Sequence, residues 1–125
     1  MQSSKPRVLL VEDDESTRFL LRELLEPSFD VFVFVNATEA LAGTAGEQFD
    51  ACITDISLRD EYDGVQLMNE LRDRPELSEM PIVAITAYYW RDEAELLLRE
   101  GFDAFFEKPF DADELTAAVH QLIAA

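Results

Sequence analysis

Short apolar runs alternate along this chain with longer segments in which apolar residues recur every three or four positions. Arg7 to Val11, Val31 to Val35, Ala51 to Thr54, Ile82 to Thr86 and Ala104 to Phe106 are short, apolar and rich in β-branched or aromatic residues. That composition predicts strands buried on both faces of a parallel sheet. Between them Leu20, Leu21, Leu24 and Leu25 form one apolar stripe closed by Pro27, and Val65, Met68 and Leu71 form another closed by Pro75. Leu115, Ala118, Val119, Leu122 and Ile123 form the last. Spacings of three and four predict helices with one face turned to a core. Asn36 with Glu39, and Asp111 with Glu114, have the cap-then-acid spacing that satisfies unpaired amides at a helix start. Gly101 follows Leu96 to Glu100, where a left-handed helix stop belongs.

The predicted pattern is five strands and five helices in strict alternation. Such alternation requires parallel strands joined by right-handed crossovers, with helices on both sheet faces, an α/β doubly wound architecture. Residues just beyond the carboxyl ends of the strands then gather along one edge of the sheet. Here they are Glu12, Asp13 and Asp14 after the first strand, Asp55 after the third, Thr86 closing the fourth and Lys108 just past the fifth.

Composition narrows the class. A chain of 125 residues, 48% apolar and 10% aromatic, suits one domain over residues 1–125 with a sizeable core. Its formal net charge of -17, from 27 acidic and 10 basic residues, argues against direct binding of nucleic acid or an anionic membrane, since both draw on Lys and Arg. Cationic partners remain open. Cys52 is the single cysteine, so no intrachain disulfide forms, and its apolar surroundings suggest a buried structural thiol. Neither a signal peptide nor a run approaching the roughly 20 residues of a membrane span is visible, which leads us to expect a soluble cytoplasmic protein. Without an export signal, Asn36-Ala37-Thr38 reads as a helix start rather than a glycosylation site.

The strand-end residues carry a possible chemistry. Glu12, Asp13, Asp14 and Glu15 are four consecutive acids, and carboxylates packed together raise one another's pKa unless a cation lies among them. If the first strand lies centrally, Asp55 is delivered beside it and two or three carboxylates can meet. Such a set suits Mg²⁺ better than Ca²⁺, because Mg²⁺ takes one or two carboxylates, waters and phosphate oxygens, whereas Ca²⁺ takes six to eight oxygens. A carboxylate beside bound Mg²⁺ is also a usable nucleophile, since aspartate forms acyl phosphates. Phosphoryl transfer asks mainly for positioning and positive charge, which Lys108 is placed to supply, and the Thr86 hydroxyl can donate to a phosphoryl oxygen. Lys108 is one of two lysines, and Pro109 after it favours an extended backbone. Taken singly, Lys108 reads as well as a solvated strand-end lysine and Thr86 as an ordinary strand threonine. Their convergence on one edge gives them weight.

In order and spacing, "LLVEDDEST", "CITDISL", "AITAYY" and "FEKPF" carry a family pattern. The whole chain resembles the receiver domain of two-component response regulators. The resemblance implies a flavodoxin-like fold of strand order 2-1-3-4-5, with Asp55 as phospho-acceptor in a Mg²⁺-dependent reaction. It implies Asp13 as a direct metal ligand, Glu12 acting mostly through water, and the Ser57 carbonyl completing the protein ligands. Thr86 would bind and report the phosphoryl group, Lys108 would pair with it, and the Lys108-Pro109 bond would be cis. The donor would be a sensor histidine kinase or a histidine phosphotransfer protein. Asp14 and Glu15 are left to face solvent at the first helix start, where negative charge suits the helix dipole.

Three departures from the family pattern stand out. The switch aromatic three residues before the lysine is Phe105 where tyrosine is frequent, so any switch works by packing alone, without hydroxyl hydrogen bonds. Gly64 arrives one residue later after Asp55 than is usual, which predicts a looser loop beside the metal. Tyr88, Tyr89 and Trp90 follow Thr86 closely, on what the resemblance makes the partner face, and Tyr88 is expected to slow hydrolysis of the acyl phosphate by shielding it from water. Trp90 reads either as half-buried against the fourth helix or as an interface anchor. His120 reads as a solvent-edge residue of the last helix, because no kinase-like histidine motif surrounds it.

The main reading is thus a phosphorylation-dependent signalling switch that modifies itself rather than turning over a substrate. The alternative of a haloacid-dehalogenase-like phosphohydrolase wants a second aspartate two residues after the nucleophile, where Ser57 stands. A non-phosphorylated pseudo-receiver is disfavoured by the intact Glu12, Asp13, Asp55, Thr86 and Lys108, and a flavin-binding flavodoxin by the scarcity of glycine. The chain ends at "LIAA" soon after the last helix, compatible with a free-standing regulator or a piece of a longer kinase or transcription factor.

Overall fold

The computed structural model describes residues 5–56, 58, 63–86 and 98–125. Within them the chain runs β1 (Arg7–Val11), α1 (Glu15–Leu25), β2 (Asp30–Phe34), α2 (Ala37–Gly43), β3 (Ala51–Asp55), α3 (Gly64–Arg72), a 3-10 turn (Pro75–Leu77), β4 (Ile82–Thr86), β5 (Ala104–Glu107) and a C-terminal helix (Ala112–Ala124). Residues 98–100, between β4 and β5, are also helical. The five strands form one sheet in the order β2-β1-β3-β4-β5, and every pairing is parallel. The all-parallel sheet is what the alternating pattern predicted, and its strand order is the one the family resemblance implied.

The two sheet faces explain why the strands read as unbroken apolar runs. Successive strand side chains point to opposite faces, so Val8 and Leu10 pack with Leu21, Leu25, Phe29, Leu115 and Val119. Leu9 and Val11 pack on the other side with Ala37, Ala40, Leu67, Met68 and Leu71. Either face therefore stabilises the fold, at about 2 kcal/mol for each large apolar side chain removed from water.

Helix ends follow the expected chemistry. Asn36 accepts from the Glu39 amide at 2.8 Å, and Asp111 accepts from the amides of Asp113 and Glu114. Asp63 and Gln66 cap the start of α3 reciprocally. Gly101 has a φ of +126°, a conformation that side-chain-bearing residues rarely adopt, directly after helical residues 98–100. Cys52 is fully buried, and burial pushes its thiol pKa up to about 12. His120 lies exposed on the C-terminal helix with its ring centroid 4.6 Å from that of Phe29. Among the described residues no helix is long and apolar enough to cross a membrane.

Some details differ from the sequence reading. The second strand is shifted one residue earlier, Asp30–Phe34 rather than Val31–Val35: Asp30 pairs with Arg7 and its amide donates to the Pro6 carbonyl, while the register with β1 ends at Phe34. The third and fifth strands run one residue further, because Asp55 and Glu107 still have register partners, Ile85 and Thr86, in β4. Asp55 is thus the last residue of its strand. In α1 only Leu21 and Leu25 of the four-leucine stripe are buried, while Leu20 is 52% and Leu24 39% exposed.

Candidate functional site

The site lies along the carboxyl edge of the sheet, and its frame is an extension of the sheet's own ladder. Past the strand ends, the Glu12 amide donates to the Phe34 carbonyl, the Ile56 amide to the Ile85 carbonyl and the Lys108 amide to the Thr86 carbonyl, at 3.1, 3.1 and 2.8 Å. The residues that flank or carry the chemistry are therefore tied to neighbouring strands. Lys108 is followed by a cis peptide bond to Pro109, as the family resemblance implied.

Three of the predicted acids meet here. Glu12, Asp13 and Asp55 each offer a carboxylate oxygen, and these atoms all lie within 4.8 Å of one another. Glu12 is wholly buried and Asp55 is 6% exposed. The Lys108 ammonium bridges the two, 2.6 Å from Glu12 Oε1 and 2.9 Å from Asp55 Oδ2. These partners stand 96 and 53 residues away in the chain. Glu12 Oε2 also accepts from the Asp14 amide at 3.0 Å, and Asp14 in turn caps α1 by accepting from the amide and hydroxyl of Thr17.

The electrostatics follow from burial. Loss of water pushes the Glu12 carboxyl pKa up to about 7; the hydrogen bonds from Lys108 and the Asp14 amide hold it from rising further, and the Asp55 charge adds to the rise. Burial alone would lower the Lys108 ammonium pKa, but the hydrogen bonds and charges of Glu12 and Asp55 outweigh it and raise the pKa above its ordinary value. The lysine thus stays charged, and a third carboxylate in a space with one ammonium leaves the site short of positive charge.

Thr86 closes β4, 5% exposed, and its carbonyl anchors Lys108. Phe105 is half-buried against the core on the α2 and α3 side of the sheet. Gly64 begins α3 so close to β3 that a Cβ on it would stand 2.4 Å from the Asp55 carbonyl oxygen and 2.8 Å from Ile56 Cα. Ser57, Tyr88, Tyr89 and Trp90 lie outside the described residues, and so does the loop predicted to be looser, at 57 and 59–62.

Two features escaped the sequence reading. One is the direct contact of Lys108 with Glu12. The other is Arg18, whose Nη1 donates to the carbonyls of Glu12 and Asp13 at 3.0 and 2.9 Å. No spacing rule marks an arginine on the first helix as a partner of the preceding loop, although it is the first basic residue after the acidic run.

Comparison with known proteins adds an independent line. Residues 8–120 match the family model described as the response regulator receiver domain. An uncharacterised 14.6 kDa protein in the sodA1 3' region of Leptolyngbya boryana is 36% identical over 115 residues, covering 91% of this chain and 87% of that one. The response regulator Rre1 of a Synechocystis strain is 35% identical over 119 residues, which make up 94% of this chain but 51% of Rre1, so the chain spans about half the length of that relative. The receiver domain of the sensor histidine kinase PA1611 from Pseudomonas aeruginosa, solved with a magnesium ion coordinated in its active site cleft, superposes with a TM-score of 0.87 at 24% identity. That superposition covers 98% of this chain and all (100%) of the other, and at such identity it speaks to the fold.

Proposed function

Because the chain belongs to the response regulator receiver domain family, it is a phosphorylation-dependent signalling switch, and we propose that Asp55 is the residue phosphorylated. The observation that carries this reading is the Lys108 ammonium 2.9 Å from the Asp55 carboxylate, in a pocket shared with two further acids. A carboxylate oxygen of Asp55 attacks phosphorus, the bond from phosphorus to the donor breaks, and the donor nitrogen or oxygen leaves with the electron pair. The product is an acyl phosphate. Lys108 pairs with the negative charge on the transferred group, and Thr86, on the adjoining strand end, donates its hydroxyl to a phosphoryl oxygen. Hydrolysis by water returns Asp55 and releases phosphate. The chain acts on itself and regenerates slowly, as a switch rather than a turnover catalyst.

Three hard carboxylate oxygens within 4.8 Å suit a small divalent cation, and Mg²⁺ is the ion we assign. Glu12, Asp13, Asp55 and the Ser57 carbonyl would hold it. Both Glu12 oxygens already accept hydrogen bonds, from Lys108 and the Asp14 amide, which favours Asp13 over Glu12 as the direct ligand. Bound there, Mg²⁺ would neutralise the acids and the charge on the phosphoryl oxygens.

Receiver domains interact with sensor histidine kinases and phosphotransfer proteins, and these are the donor classes we assign. Phe105 would follow Thr86 on phosphorylation by repacking its ring, and Tyr88, Tyr89 and Trp90 would belong to the surface that changes partners. We assign residues 1–125 to a single receiver domain acting in the cytoplasm. Incubation with acetyl phosphate or phosphoramidate and Mg²⁺, read by intact mass, tests the assignment: wild type gains one phosphoryl group and Asp55→Asn none. A gain of equal size in Asp55→Asn refutes Asp55 as the acceptor.

A further inference from the structure

The geometry points to Arg18 as a positioning residue for the metal site, an inference that rests on the reading of Glu12, Asp13 and Asp55 given above. Its Nη1 donates to two consecutive carbonyls, those of Glu12 at 3.0 Å and Asp13 at 2.9 Å. In a regular strand consecutive carbonyls point to opposite sides. Their convergence on one nitrogen means that the chain leaves strand geometry at Asp13, and the departure determines where the Asp13 carboxylate is aimed. The residues on either side are already held. The Glu12 amide remains on the β2 ladder and the Asp14 amide is bound to Glu12 Oε2. Arg18 closes this short span from α1, where its own amide donates to the Asp14 carbonyl at 2.9 Å. Arg18 and both of its bonds are partly buried, so competition from water is reduced.

Charge and positioning make opposite demands here, which allows them to be separated. A guanidinium beside an acidic cluster repels a divalent cation, so by charge alone its removal strengthens Mg²⁺ binding. If Arg18 works by fixing the Glu12–Asp14 backbone, its removal weakens binding, as loss of groups that orient metal ligands does by about 10-fold or more. A purely structural role lowers unfolding stability while leaving metal affinity unchanged or improved.

The test is calorimetric titration of Mg²⁺ into wild type, Arg18→Ala and Arg18→Lys, with urea unfolding in EDTA measured alongside. Arg18→Ala is expected to bind Mg²⁺ about 10-fold more weakly despite the lost positive charge, and Arg18→Lys, which keeps the charge without the guanidinium, about 3-fold more weakly. Where the alanine variant does not fold, the lysine variant decides, since charge alone predicts no change for it. Unchanged or tighter binding in the variants, with wild type binding normally, overturns the role of Arg18. A wild type that takes up no Mg²⁺ instead overturns the metal site itself.

Discussion

Asp13→Asn separates what the acidic cluster costs the fold from what it gains on meeting a cation. The Asp13 carboxylate lies within 4.8 Å of those of Glu12 and Asp55. Two unit charges at that distance repel by roughly 3.5 kcal/mol at an effective dielectric constant of 20, and by under about 1 kcal/mol in bulk water. Asp13 is partly exposed and Lys108 offsets some of the repulsion, so the realistic value lies near the lower bound. Asparagine preserves the shape and much of the hydrogen bonding. In EDTA the variant is therefore expected to be more stable than wild type by about 1 kcal/mol, near 4 °C in melting temperature for a domain of this size. Magnesium reverses the order. At 100 times its dissociation constant, a ligand that binds the native state alone adds about 2.7 kcal/mol, and the variant, lacking the proposed direct ligand, gains only a small part of this. Urea unfolding followed by circular dichroism, with EDTA and then with Mg²⁺, measures both halves. A variant less stable than wild type in EDTA, or stabilised equally by Mg²⁺, refutes the reasoning.

Two further substitutions probe the frame. Gly64→Ala puts a Cβ 2.4 Å from the Asp55 carbonyl oxygen and 2.8 Å from Ile56 Cα, both backbone atoms that cannot rotate away; we expect a loss of about 2 kcal/mol in urea unfolding and a slower gain of phosphoryl mass, because the strand end bearing Asp55 is displaced. Leu21→Ala empties a fully buried position and is expected to cost about 3 kcal/mol, whereas Leu20→Ala, 52% exposed one residue earlier, is expected to cost under about 1 kcal/mol by the same measurement.

The leucine pair also shows where the sequence is informative and where it is not. Leu20 with Leu24 and Leu21 with Leu25 are adjacent stripes of equal spacing, so periodicity announces a helix without saying which stripe meets the sheet. That choice is made by tertiary packing, with Phe29, Leu115 and Val119 beside Leu21 and Leu25. The central strands were legible because burial on both faces leaves no polar alternation, and strand ends shifted by one residue, Asp30, Asp55 and Glu107 joining the ladder and Val35 falling outside it. The acids and Lys108 were legible as strand-end residues because parallel topology gathers such positions. The Lys108 contact with Glu12 and the carbonyl contacts of Arg18 depend on side-chain reach and loop curvature, for which spacing holds no signal. The sequence marks Gly64 only by its late position after Asp55; its necessity comes from the close approach of α3 to β3.

The amides of Glu12, Ile56 and Lys108 hang on the carbonyls of adjacent strands. The reactive edge is therefore continuous with the scaffold, and its alignment is vulnerable to changes in strand length. Inserting or deleting one residue within β1, β3 or β5 would invert the inward and outward sides of that strand and slide its acid or ammonium out of line with the others. Evolution can lengthen this domain cheaply at the opposite rim, as between Gly43 and Ala51. Within the strands it can change residue type but not residue number.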